Sequence, residues 1–236
     1  NFLPFHSLHD GQQYAAEKWT IAYVPSASVL KLCVDKRKKA GSRVLALGNP
    51  NLSDPKYKLV HAEEEVKAIA RLFPEAKVLV GNEASEKALQ LLGPDFDVLH
   101  FACHGTVNLD DPELSCLRLA PDGDNDGYLH VRELFDMHFG AGLVTMSACE
   151  SGLGRVTSGS EVLGLTRAMM YAGTPSVVAS LWKVDDKATA ELMVEFYKNL
   201  KTMNKAQALK EAQVKMIKDG KTPFQWAAFC LYGDYM

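Results

Sequence analysis

Two apolar runs decide how this chain folds: Val98-Leu99-His100-Phe101-Ala102-Cys103-His104-Gly105 and Leu143-Val144-Thr145-Met146-Ser147-Ala148-Cys149-Glu150. Each is a short continuous stretch of apolar residues, the pattern of a strand covered on both faces. One run ends in an imidazole followed by glycine, the other in a thiol. A cysteine is a strong nucleophile only as thiolate, and a neighbouring imidazole can take or balance its proton. The pair points to a His/Cys hydrolase, with peptide-bond cleavage as the leading reaction.

Outward from these runs, further strands are expected at Trp19–Pro25, Arg43–Gly48, Lys77–Gly81, Cys116–Ala120, Ser176–Trp182 and Gln225–Leu231, with the two central ones covering Val98–His104 and Leu143–Cys149. Helical periodicity lies between them, over Val29–Lys39, Ala62–Phe73, Ser85–Leu92, Ser158–Tyr171, Asp186–Leu200 and Lys205–Lys218. Such alternation predicts an α/β fold, a mostly parallel sheet with helices on both faces. Sites in such sheets form at the carboxyl ends of the strands, where His104 and Cys149 are expected. No repeat, low-complexity segment or linker interrupts the pattern, so residues 1–236 read as one domain. The opening at Asn1, without methionine, reads as part of a longer protein with an N-terminal partner region.

Composition narrows the function. The chain has 236 residues, 47% hydrophobic and 23% charged, enough for a substantial core. A net charge of -3 argues against nucleic acid or an anionic membrane as the main partner. No apolar run is long enough to span a bilayer and no signal peptide opens the sequence. The five cysteines are scattered and unpatterned, which suits a reducing, cytoplasmic setting rather than a disulfide framework or zinc site.

Around the pair, Gly105 allows a sharp turn and can present its N–H to a developing oxyanion with no Cβ in the way. The N–H of Cys149 is a second donor, and small Ala148 and Gly152 leave room for a substrate backbone. By strand parity His100 shares a face with His104 and reads as packing beneath the sheet end. Cys103 has the opposite parity and reads as core. Taken singly, a strand-end histidine or a buried cysteine is ordinary; it is the ordered pair that carries the chemistry.

The chain resembles CHAT domains, a caspase-like family related to separases and often found beside tetratricopeptide repeats. The resemblance runs through Leu3-Pro4-Phe5, Tyr23-Val24-Pro25-Ser26, Leu45-Ala46-Leu47-Gly48-Asn49-Pro50, the two runs quoted above, Ala179-Ser180-Leu181-Trp182, and Trp226-Ala227-Ala228-Phe229. His104 lies 45 residues before Cys149, close to the spacing of about 50 in caspase-type enzymes. The likeness implies a caspase-like three-layer sandwich and a cysteine endopeptidase with His104 as general base, Cys149 as nucleophile and Gly105 in the oxyanion hole. It implies a protein or peptide substrate, a tetratricopeptide-repeat region in the same or a partner chain, and no required metal. Leu181-Trp182-Lys183-Val184-Asp185-Asp186 resembles the separase pattern that lines the pocket for the residue before the cut. Trp182 would then be a pocket wall, with Asp185 or Asp186 attracting a basic side chain. Lys183 departs from that pattern, and an aspartate here can equally cap the following helix.

A second constellation runs from Asp122 to Glu133. Asp122, Asp124, Asp126, the carbonyl of Tyr128 and Glu133 match the twelve-position calcium loop, with Gly127 at its glycine position. The preceding segment reads as strand rather than helix, so a solvated acidic turn is the preferred reading and calcium the alternative. Gly152-Leu153-Gly154 with Ser158-Gly159-Ser160 reads as a loop after the nucleophile rather than a phosphate cradle. Lys36-Arg37-Lys38-Lys39 reads as a solvated helix end, and Met169-Met170-Tyr171 as core. The rival to a peptidase is a catalytically silent caspase-like scaffold or interaction module; acyl transfer to a non-peptide substrate by the same pair is a third possibility.

Overall fold

The computed structural model describes residues 3–38, 40–108, 110–123, 125–147, 149–150 and 160–236, with the side chains of residues 149, 150 and 160–163 outside the description. Ten strands are defined: β1 Val44–Pro50, β2 Lys77–Gly81, β3 Val98–Ala102, β4 His104–Thr106, β5 Cys116–Arg118, β6 Tyr128–His130, β7 Leu143–Met146, β8 Cys149–Glu150, β9 Ser176–Ser180 and β10 Phe229–Gly233. The helices are α1 Ala15–Lys18, α2 Ala27–Asp35, α3 Val60–Ala70, α4 Glu86–Leu92, α5 Val131–Leu134, α6 Ser160–Tyr171, α7 Asp186–Leu200, α8 Lys205–Lys218 and α9 Pro223–Trp226.

Six strands form the main sheet in the order β10-β9-β7-β3-β1-β2, parallel except for β10 against β9. Alternation along the strands sends neighbours to opposite faces. Leu45, Leu47, Leu99, Phe101, Val144 and Met146 pack on one side, in the cluster that includes α4, α5 and α6. Val44, Val98, Leu143 and Val178 pack on the other, against α7, α8 and α9. Ala46 and Ala102 meet Ala62 and Val66 of α3 on that second side. Helices on both faces of a mostly parallel sheet make the expected three-layer sandwich. Among the described residues no helix is long and apolar enough to cross a membrane.

The main sheet gives way to a smaller one at its carboxyl edge. The runs expected as single strands each break: β3 ends at Ala102 and β7 at Met146, and the chain then re-pairs in the sheet β6-β5-β4-β8. His104 and His100 therefore lie in different sheets. His100 is fully buried in the main core, its Nε2 2.8 Å from Glu65 Oε1 and its Nδ1 3.2 Å from the Tyr197 hydroxyl. Tyr197 donates to Thr145 Oγ1 at 2.9 Å. This chain of polar groups spans α3, β3, α7 and β7, satisfying side chains that would be costly to bury unpaired.

Other boundaries shift for local reasons. Trp19–Pro25 does not form a strand. Only Tyr23 bridges to β10, donating its N–H to Leu231 and accepting from Gly233, before Pro25 removes a donor. The last strand begins at Phe229 rather than Gln225, because Pro223 and a Thr222/Gln225 capping box hold residues 223–226 in a helical turn. Helix α2 starts at Ala27, where Ser26 accepts from Val29 N–H, and stops at Asp35. The basic run after it is not wholly solvated: Arg37 pairs with buried Asp234 at 2.8 Å, and Asp234 also accepts from buried Lys205. Cys103 is buried in the core cluster, as is Met169, whereas Tyr171 is 68% exposed.

The β5–β6 hairpin docks on α4 through a bridge between Ser85 and Ala120 and through Asp122, which accepts from Lys87 N–H. Beneath it Glu86 is buried, and burial together with Glu133, Asp126 and Asp122 pushes its carboxyl up to about 7.

Two stability measurements follow from this packing. A Cβ on Gly48 would stand 2.7 Å from Val66 Cγ2 and 2.9 Å from the Ala62 carbonyl oxygen, so Gly48→Ala forces α3 away from β1. A loss of about 1–3 kcal/mol is expected by urea unfolding, and an unchanged midpoint contradicts the close approach. Glu86 holds its proton in the folded state between about pH 4.5 and pH 7, where the unfolded chain has lost it. Its contribution to stability is therefore full below pH 4.5 and is lost as pH rises through 7. Glu86→Gln is expected to raise stability at pH 8 and to flatten the fall between pH 5 and 8, read as melting temperature against pH.

Candidate active site

His104 and Cys149 come together at the backbone level. Strands β4 and β8 run parallel, with His104 in register with Cys149 and Gly105 with Glu150. Partners in neighbouring strands lie about 4.8 Å apart. The Cys149 side chain lies outside the described residues, as do Ala148 and the loop residues Gly152-Leu153-Gly154 and Ser158-Gly159. On the opposite edge of β4, His104 pairs with Arg118 and Gly105 with Leu117. Gly105 is buried between the two neighbouring strands.

The half-buried imidazole of His104 is oriented from outside its own sheet. Its Nε2 lies 2.8 Å from the Tyr57 carbonyl oxygen. A carbonyl only accepts, so Nε2 carries the hydrogen and, in the neutral ring, Nδ1 keeps a lone pair. The Tyr57 ring meets the imidazole edge-on, with centroids 5.6 Å apart. Desolvation holds the His104 pKa below its usual value. The Tyr57 carbonyl works against that shift, while the positive charges of Lys183 and Arg118 add to it.

The segment that carries Tyr57 is itself fixed by the end of β1. Asn49 takes a left-handed φ of 46°, a conformation asparagine tolerates better than most residues. Its Oδ1 accepts from Leu59 N–H at 2.9 Å. Asp54 accepts from Lys56 N–H and closes the short turn at Pro55–Tyr57. The Tyr57 ring also lies under cations: Lys56 Nζ is 4.7 Å and the Arg118 guanidinium 5.6 Å from its centroid. Tyr57 was not singled out in the sequence, because its contribution is a main-chain carbonyl that any residue supplies. The one local signal was Gly48-Asn49-Pro50, which marks a strand end with a special backbone.

Beside Gly105 lies a narrow recess of about 40 Å³ walled by Thr106, Val107, Leu117, Met146 and Leu181, with Trp182 at its edge. Trp182 is held in place there, stacked on Phe224 at 6.1 Å and donating its indole N–H to the Phe224 carbonyl. Asp185 and Asp186 do not line this recess. Asp185 caps α7, accepting from Ala188 N–H at 3.0 Å. Asp186 reaches α3 and accepts from His61 N–H at 2.9 Å. Both carboxylates thus serve backbone donors at helix starts.

The acidic hairpin is bound up in its own turn. Asp122 accepts from Asn125 and from Lys87 N–H, Asp126 from Tyr128 N–H, and Glu133 from His130 N–H. Asp124 lies outside the described residues. The flanking elements are strands β5 and β6 rather than an incoming helix. Among the described residues no three histidine, cysteine or acidic side chains are grouped to hold a metal ion.

With this geometry the chain is similar to several known proteins. Mouse (Mus musculus) tetratricopeptide repeat protein 28 is 24% identical over 99% of this chain, which spans only 12% of that protein's length. The separase in the separase–securin complex of Saccharomyces cerevisiae superimposes with a TM-score of 0.60 at 18% identity, over 91% of this chain and 14% of that one. The Arg-specific cysteine proteinase gingipain R superimposes with a TM-score of 0.56 at 10% identity, over 89% of this chain and 52% of that one; it is the RgpB of Porphyromonas gingivalis. Identities so low establish a shared caspase-like fold. The CHAT domain model matches residues 1–234, and the chain belongs to the CHAT domain family.

Proposed function

We propose that this domain is a cysteine endopeptidase that cleaves a protein or peptide substrate with Cys149 as nucleophile and His104 as base. The observation that supports it best is the register of β4 on β8, with residue 104 beside residue 149 and the His104 Nε2–H tied to the Tyr57 carbonyl. Nδ1 is then the nitrogen that takes the thiol proton. Sulfur attacks the peptide carbonyl carbon, and the N–H groups of Gly105 and Cys149 meet the charge that develops on oxygen. Collapse breaks the C–N bond, and the imidazolium proton goes to the leaving amine. Water, deprotonated by His104, then cleaves the thioester and restores the thiol.

The recess next to Gly105 suits the side chain before the cut. Its walls are mostly apolar, with Thr106 and Ser180 the polar members, and the two nearby aspartates are engaged with helix N–H groups. A small apolar side chain fits this space better than arginine or lysine. The repeats in the name of the mouse relative support a repeat region, in the same or a partner chain, as the companion of this domain.

Three measurements test the reading. A peptide chloromethyl ketone is expected to label Cys149 selectively, and His104→Ala to slow that labelling by at least about a hundredfold. The other four cysteines are buried, with burial pushing the thiol of Cys116 up to about 11 and that of Cys230 to about 12. Equal, slow labelling of all five cysteines would instead favour a silent scaffold. In a Cys149→Ala variant, the His104 ring followed by NMR is expected to titrate below 6.5, its usual value, so the neutral base persists into mildly acidic solution. A midpoint at or above 6.5 contradicts the desolvated setting. In a peptide-library cleavage screen with Cys149→Ala as control, alanine or valine before the cut is expected to outperform arginine by about tenfold. The reverse order removes the recess from the substrate path.

A further inference from the structure

At the opposite end of the main sheet, where β9 begins, α2 and α6 leave a cleft of about 560 Å³ between them. That volume lies within the usual range for small-molecule sites, about 300–1,000 Å³. Pro25, Val29, Leu32, Met170 and Pro175 supply apolar walls. Tyr171 and Leu32 keep 68% and 58% of their surface in contact with solvent. The cleft is therefore an uncovered apolar surface as the domain stands.

Besides Tyr171 and Thr174, its polar side chains are basic. Lys36 comes from the α2 side, Arg167 from α6 and His138 from the segment before β7, and among the described residues no acidic side chain lines the cleft. Among the described residues neither Lys36 nor Arg167 makes an ion pair. The larger groove between α3, α7 and α8 differs sharply, since its lysines are interleaved with glutamates and an aspartate. At the wall of the apolar cleft, Thr174 is 1% exposed and its buried Oγ1 has no hydrogen-bond partner among the described residues. That oxygen is closed to solvent, so it belongs to the wall behind the cleft and not to its binding surface.

The geometry points to a binding site for a small amphiphilic carboxylate, with an apolar body between α2 and α6 and an anionic head near Arg167. Lys36, on the α2 side of the lining, supplies a second positive charge. Apolar walls provide most of the contact, and the few polar groups fix orientation and select for charge. This site is independent of the His104/Cys149 chemistry, so its test needs no catalytic readout.

Titration calorimetry with octanoate, 1-octanol and acetate on the chain of residues 1–236 tests the proposal. Octanoate is expected to bind saturably below about 1 mM with one site per chain, and octanol and acetate at least about tenfold more weakly. The double variant Lys36→Gln/Arg167→Gln, at two exposed positions, is expected to weaken octanoate by about tenfold or more and to leave octanol unchanged. Val29→Trp, which fills the cleft, is expected to abolish octanoate binding. Thermal unfolding of each variant confirms that it is folded, and if Val29→Trp is not, the charge pair decides. The site is overturned if octanoate does not saturate the wild-type protein, if octanol binds equally well, or if the charge variant leaves octanoate affinity intact.

Discussion

The imidazole of His100, engaged at both nitrogens inside the main core, is the contact on which the arrangement of the sheet's carboxyl edge depends. Through Glu65 it fixes α3 against β3, and through Tyr197 and Thr145 it joins α7 and β7 to the same point. Helix α3 is preceded by the turn whose Tyr57 carbonyl holds His104, and it receives Asp186 at its own start. Removing one partner of such a buried polar pair costs about 1–3 kcal/mol, because the other is left without compensation. Because Glu65 lies on α3, any displacement of that helix would carry the preceding Tyr57 carbonyl with it. A polar chain in the interior therefore has its consequence at the surface, in the orientation of one ring.

The same reasoning separates two kinds of histidine. His100 and His104 are four residues apart, yet one is satisfied wholly by side chains in the core and the other by a main-chain carbonyl at its edge. The break at Cys103 makes the difference, since Cys103 packs into the core while the chain turns to a new sheet. A parity argument carried across that break assigns both rings to one face, and it fails because the strand does not continue.

Much of the fold was legible because its signals are local. The sequence bounds Lys77–Gly81, Asp186–Leu200 and Lys205–Lys218 agree with the structure to the residue, where Asp185 and Asn204 cap the two helices. The three-layer arrangement followed from continuous apolar strands between such helices. What was not legible depends on partners distant in sequence. Trp19–Pro25 has strand composition but meets β10 only at Tyr23, and Gln225 is drawn into a helical turn by Pro223. At the site, the placement of residue 104 beside residue 149 follows from strand register. The engagement of Asp185 and Asp186 with Ala188 and His61 depends on where α7 and α3 begin, and the role of Tyr57 leaves no trace in residue type at all.

Two sheets meeting at an edge also divide the work of the molecule. The six-stranded sheet runs through the centre of the apolar core, while the histidine and the nucleophile candidate hang from a four-stranded sheet of two- and three-residue strands. Strands that short hold few ladder hydrogen bonds, so their alignment can slide by a fraction of an ångström with little loss of folding free energy. Proton transfer and in-line attack are far less tolerant of such a displacement. Under the proposed mechanism the domain would lose competence while remaining fully folded, and heat-denaturation curves alone would not distinguish a competent molecule from a misaligned one.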